Sequence, residues 1–164
     1  MGKTGGGRGT NQYMVRGRSN KRTLFPFQNV ALLTKASIED RRRVASDPTT
    51  PPKEFIQLAK DADGVTRCRV AANLSAPMQA LELLSKDEDW IVRRTVAQNK
   101  CVPEHILAQL AQDEDPDVRE AVAEHNHTPT AVLAQLARDE DSLVRLAVAN
   151  NTNLPAHIRT MLNI

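Results

Sequence analysis

"LAQLAQDEDPDVREAVAEH" (107–125) returns almost unchanged as "LAQLARDEDSLVRLAVANN" (133–151), 26 residues later. Sliding the whole chain by that step brings five series into register. Arginine recurs at 41, 67, 93, 119 and 145. Val-Ala recurs at 44/45, 70/71, 96/97, 122/123 and 148/149. Proline recurs at 51, 77, 103, 129 and 155, and leucine at 58, 84, 110, 136 and 162. Asp-x-Asp recurs at 61/63, 87/89, 113/115 and 139/141. A period between about 20 and 50 residues marks a stacked array of small units.

Each unit parses into two short helices. In the first, D-x-x-V-R-x-x-V-A, Val118, Val122 and Ala123 fall on one helical face. The second Asp of each pair (Asp63, Asp89, Asp115, Asp141) stands where an N-cap belongs, and Pro116 is a first-turn proline. The second helix opens at the repeated proline; in "PEHILAQLAQD" Ile106, Leu107, Leu110 and Ala111 form one stripe. Asn73, Asn99, His125 and Asn151 suit the tight turn between the two. A helix pair this small cannot bury its own apolar face, so neighbours must stack. The expected fold is all-α, a helical-repeat solenoid of five 26-residue two-helix units over residues 38–164. "FPFQNVALLTKA" (25–36) reads as a degenerate second helix, giving a capping helix over 24–37. At the other end Arg159 and Asn163 replace core-type residues and make the last face wettable.

V-R-x-x-V-A-x-N followed by P-x-x-x-L-x-x-L-A-x-D-x-D resembles the leucine-rich repeat variant family over about residues 40–164, with HEAT-like repeats as the neighbouring pattern. The resemblance implies a right-handed superhelix of paired helices in which one helix of each pair is of the 3₁₀ type in some cases. Some members of that family hold an iron–sulfur cluster in a cysteine-rich segment before the repeats. Residues 1–40 contain no Cys, so no cluster is expected, and no other cofactor is implied.

Charge divides the chain. Residues 1–38 hold seven basic residues and no acid, whereas residues 101–164 hold four basic and ten acidic ones. Residues 1–23 are Gly-rich and basic, a composition that cannot pack a core and predicts a flexible tail. Lys3, Arg8, Arg16, Arg18, Lys21 and Arg22, with Tyr13 as a stacking group, would meet the phosphates of RNA or DNA. "GKTGGGRG" (2–9) lacks the order and the flanking strand of a phosphate loop, and Gly6 stands where a myristoylation signal needs Ser or Thr.

The arginine series (Arg41, Arg67, Arg93, Arg119, Arg145) reads as a structural ladder with Asp63, Asp89, Asp115 and Asp141, through same-helix pairs such as Asp115–Arg119 and through the acidic turns of neighbouring units. "HNH" (125–127), His105, His157, Cys68 and Cys101 occupy different motif positions and do not make a convergent metal set. No nucleophile–base pair is recognisable, which points away from an enzyme and from a small-molecule substrate. The favoured reading is a non-enzymatic scaffold binding a protein through side chains that vary between units. These are Lys53, Gln79, His105, Ala131 and His157, with Trp90 as an aromatic anchor at a site filled elsewhere by Gly64, Pro116 and Ser142. A nucleic-acid-associated protein gripping through its tail is the alternative. Nothing approaches a membrane span, and two cysteines without an export signal point to reduced thiols and a cytoplasmic location.

Overall fold

The computed structural model describes residues 33–162, and among them ten α-helices and no strand. In chain order these are α1 (Ile38–Ser46), α2 (Pro52–Leu58), α3 (Gly64–Ala72), α4 (Met78–Leu84), α5 (Trp90–Gln98), α6 (Glu104–Leu110), α7 (Pro116–Glu124), α8 (Thr130–Leu136), α9 (Ser142–Asn150) and α10 (Ala156–Leu162). They form five pairs, each a nine-residue helix followed by a seven-residue one. The basic tail of 1–23 and most of the 24–37 segment lie outside the described residues. Of the capping segment, Leu33 is described and is buried in the core.

The two helix types start by different chemistry. Four of the nine-residue helices open on the second Asp of an Asp-x-Asp pair. Asp63 accepts from Thr66 N at 3.0 Å, Asp89 from Ile91 N at 2.9 Å, Asp115 from Asp117 N at 2.9 Å and Asp141 from Leu143 N at 2.7 Å. Ser37 plays the same part for α1, accepting from Asp40 N at 3.1 Å. The seven-residue helices α2, α4, α6 and α8 have no side-chain cap; Pro51, Pro77, Pro103 and Pro129 stand before them with φ between −58° and −69°. Proline fixes that angle in advance, so the entry needs no hydrogen-bonding side chain.

No 3₁₀ helix occurs among the described residues. The expected 3₁₀ character is confined to the ends of the short helices. Ala80 N donates to Pro77 O at 2.9 Å while Leu81 N reaches the same oxygen at 3.3 Å, and the exit repeats the tight pattern with Asp87 N to Leu84 O at 3.2 Å. In between, Ser85 N donates to Leu81 O at 2.8 Å in the α pattern. A helix of seven residues is nearly all terminus, and termini tighten to satisfy their free groups.

Successive nine-residue helices pack on one another along the array, and each of the first four packs on its seven-residue partner, whereas the seven-residue helices meet each other only marginally. The core is a continuous column of the recurring apolar residues: Val44, Val70, Val96, Val122 and Val148 from one layer, Phe55, Leu81, Leu107 and Leu133 from the other. Alanines follow each of those valines. A small side chain at that position lets the next nine-residue helix approach closely, and Ala45, Ala71, Ala97 and Ala123 are fully buried.

Candidate functional site

The array has two edges, one at the Asp-x-Asp turns and one at the Asn-to-Pro turns. At the first, each arginine grips the following unit. Arg67 Nε donates to Asp87 at 2.7 Å and Nη2 to its other oxygen at 3.0 Å. Arg93 grips Asp113 at 2.7 and 2.9 Å, and Arg119 grips Asp139 at 2.8 and 2.9 Å. Arg41 meets Asp61 at 2.6 Å. In each of these units the third nitrogen, Nη1, bonds a backbone carbonyl at the start of its own unit, as Arg93 does to Asp87 O at 2.8 Å.

The carboxylate in each pair is therefore the first Asp of the next unit, not the capping Asp four residues before the arginine. No Asp115–Arg119 side-chain bond forms, because the Asp115 carboxylate is turned into its helix terminus. Asp63 differs by also receiving Arg42 Nε at 2.8 Å, a bond that holds its carboxyl well below the usual range. The first Asp does two jobs: Asp113 Oδ1 also accepts from Asp115 N at 3.0 Å, which shapes the turn. Burial pushes the Asp113 and Asp139 carboxyls up, but bonds from Arg93 and Arg119 and from the turn amides outweigh it and hold both low. The same bonds raise the arginines further.

A second ladder runs along the other edge. Asn99 Nδ2 donates across the unit boundary to Ala71 O at 2.6 Å and Asn73 O at 3.2 Å, while its Oδ1 accepts from Cys101 N at 2.8 Å. Asn73 and Asn151 repeat this arrangement one unit back and two units on. His125 imitates it: Nε2 meets Asn99 O at 3.2 Å and Nδ1 accepts from His127 N at 3.1 Å. The sequence marked these residues as turn formers; their reach across the boundary is a property of the stacked array alone.

The exposed residues singled out from the sequence fall on two separate surfaces. Lys53, Gln79, His105 and His157 are exposed near the starts of seven-residue helices, at the asparagine edge. His105 Nε2 lies 3.6 Å from Glu82 of the preceding unit. Trp90 begins α5 at the aspartate edge, in the other layer, half-buried against the core. The arrangement does not bring it together with that row. The residues Lys3 to Arg22 lie outside the described ones.

Chemistry-bearing groups do not converge among the described residues. No group of three His, Cys, Asp or Glu is placed to hold a metal ion. Cys68 and Cys101 are free thiols, and burial pushes the Cys68 thiol up, away from the thiolate a nucleophile needs. A groove of about 360 Å³ lies beside the His125–His127 pair, lined also by Gln98, Lys100, Ala121, Glu124 and Asn126. Both His125 ring nitrogens are already committed to the turn and the ladder. No described helix is long and apolar enough to cross a membrane.

No curated protein and no solved structure matches the chain. Residues 116–141 match the family model described as leucine rich repeat variant. The matched span is one full unit: α7, its turn, α8 and the Asp-x-Asp that closes it. The other units carry the same recurring positions in the same register, so each of them resembles the matched unit.

Proposed function

We propose that the chain is a non-enzymatic, cytoplasmic scaffold that binds another protein. One observation carries this reading. The side chains that build the core, the caps and the two ladders recur from unit to unit, while exposed positions such as Lys53, Gln79, His105, Ala131 and His157 change at each step. An array organised this way holds a rigid frame constant and leaves a surface free to vary, which is how helical repeats serve as binding scaffolds. Trp90 is the side chain proposed to anchor the partner, because half of an indole at a helix start offers apolar contact area that Gly64, Pro116 and Ser142 do not. The row Lys53, Gln79, His105 and His157 supplies a second, polar surface on the opposite edge.

The test is capture from native lysate by the full chain and by Trp90→Ala. Loss of a captured protein by about 2 kcal/mol of affinity or more, with an unchanged melting temperature, is the expected result. A clear loss of melting temperature with undiminished capture would assign Trp90 to local packing. The run of seven cations in residues 1–38 favours a second reading, attachment to RNA or DNA phosphates. Nuclease treatment before capture separates the two, since only that second reading requires the partner to depart with the nucleic acid.

A further inference from the structure

At the asparagine edge each unit commits one side chain to the ladder and leaves its two neighbours free. Asn99, His125 and Asn151 are buried and bond one unit back. Gln98, Glu124 and Asn150, the last residues of α5, α7 and α9, stand before them, and Lys100, Asn126 and Thr152 follow. All six are exposed, and none of their side chains makes a hydrogen bond or ion pair with a described residue. The first two units lack this pattern, since Ser46 and Pro48, then Ala72 and Leu74, occupy the same places.

Two grooves separate the three polar pairs. The groove of about 360 Å³ runs between Gln98 and Lys100 of one unit and Glu124 and Asn126 of the next. A second, of about 230 Å³, lies between Glu124 and Asn126 and the following Asn150 and Thr152. Glu124 and Asn126 line both, so the grooves are consecutive. Two small adjoining grooves suit successive side chains of an extended segment better than one compact ligand. Packed helices lie about 8–10 Å apart, and three residues of a polyproline II segment advance about 9 Å, so one turn of such a segment spans one unit. That conformation makes no internal hydrogen bonds, which leaves its carbonyls open to donors. Primary amides such as Gln98, Asn126 and Asn150 carry donor and acceptor together and so match a peptide group.

Charge narrows the occupant further. Lys100 stands on the first pair and Glu124 on the next, with no ion pair between them. Burial, and then the charges of Glu124 and Asp117, push the nearby Glu120 carboxyl up, so negative charge on this helix is in excess. We propose that the grooves form a docking track for an extended, polyproline-type segment of a partner protein that carries an acidic residue and, three positions away, a basic one, the acid meeting Lys100 and the base meeting Glu124. The track lies at the edge away from Trp90 and shares no residue with the exposed row of the seven-residue helices, so it stands or falls separately from those surfaces.

The experiment follows the side-chain amide resonances of the full chain by NMR. The probe is the acetylated, amidated peptide PDPPKPP; the control is PNPPQPP. The expected result is a saturable shift of the Gln98, Asn126 and Asn150 signals, with those of the exposed Gln112 and Gln135 unmoved. Binding should weaken with salt and fall about three- to fivefold in Glu124→Gln and in Lys100→Gln, both exposed positions outside the ladder. No shift at millimolar peptide, equal binding of the control, or equal shifts of all exposed amides overturns the proposal. So does a nuclear Overhauser contact between residues 1–23 and the Asn126 amide in the free chain, since the chain would then fill its own track.

Discussion

The aspartate edge and the asparagine edge hold the same units together by opposite means. The first uses full charges in a bidentate grip, with Arg93 and Asp113 side chains only 10% and 7% exposed. The second uses neutral amides on backbone carbonyls, with Asn99 and Asn151 buried. The charged edge keeps its arginine and its first Asp unchanged between units, as expected where a guanidinium fork and a carboxylate are geometrically matched. The neutral edge tolerates His125, because it needs only one ring nitrogen to donate and another to accept. The asymmetry also sets solution behaviour. Salt and acid act on the first edge; water entering at unpaired carbonyls acts on the second.

The largest effect expected is at the charged edge. Arg93→Ala removes both bonds to Asp113 and the bonds to Asp87 O and Glu88 O, leaving a largely buried carboxylate with its turn amide alone. Breaking such a pair from one side costs about 3 kcal/mol. Urea unfolding should show this loss at pH 7, and it should shrink as pH falls below about 4, where Asp113 is protonated in the unfolded chain. The sign follows from the lowered Asp113 and Asp139 carboxyls: their contribution is present above the unfolded value and lost as acid titrates through the folded one. Arg93→Lys should recover only part of the loss, since an ammonium cannot grip both oxygens and a carbonyl. A full rescue by Lys would show that charge alone matters at this edge.

A smaller loss is expected at the neutral edge. Asn99→Ala leaves Ala71 O, Asn73 O and Cys101 N without their side-chain partner. Unsatisfied buried groups of this kind cost about 2 kcal/mol together once water reaches some of them. Unlike the Arg93 deficit, this one should be the same in low and high salt and between pH 7 and 4. A salt-dependent deficit at Asn99 would mean that the two edges are coupled through the turn and that the comparison between them is too simple.

Much of this architecture can be read in the sequence because the repeat presents each structural role five times. Helix boundaries follow from the capping Asp and the proline, and the core follows from the Val, Ala and Leu series. The periodicity places each arginine near the acidic turn of a neighbouring unit, but it does not display which group each ladder residue grips. Asp61, Asp87, Asp113 and Asp139 look like spare acids beside the capping residue, yet they receive the arginines 20 positions back. Asn99 looks like a turn residue, yet it bonds a carbonyl 28 positions back. Both pairings cross a unit boundary at less than one or just over one period, so a search for residues sharing a helix face finds the wrong carboxylate. One signal was available: the first Asp recurs as strictly as the second, although only the second is needed for a cap. The role of Arg159 is legible only in part. A charge at a core position is visible, but nothing in the sequence says that its guanidinium will bond Ala149 O and Asn151 O.

The finest test of the comparison is His125→Asn, which makes the neutral edge uniform. His125 donates through one nitrogen to Asn99 O, where an asparagine in the same place would also reach Ala97 O, as Asn99 does to Ala71 O. Its other nitrogen must stay unprotonated to accept from His127 N. Burial pushes the His125 ring below its ordinary value, opposed by the bond to Asn99 O and helped by the neighbouring His127. Below about pH 6.5 the unfolded chain therefore takes up a proton that the folded chain resists, and stability falls as pH falls. Asparagine has no such proton. The variant should gain about 1 kcal/mol at pH 7 from the added amide bond. Its advantage should widen between pH 6.5 and 5, before the carboxylates of the other edge begin to titrate. The measurement is urea unfolding of both chains at pH 7, 6 and 5. An unchanged slope of stability against pH in the variant would place the titration elsewhere. A variant less stable at every pH would mean that the ring's packing against His127, edge-on at 5.5 Å, outweighs the second amide bond.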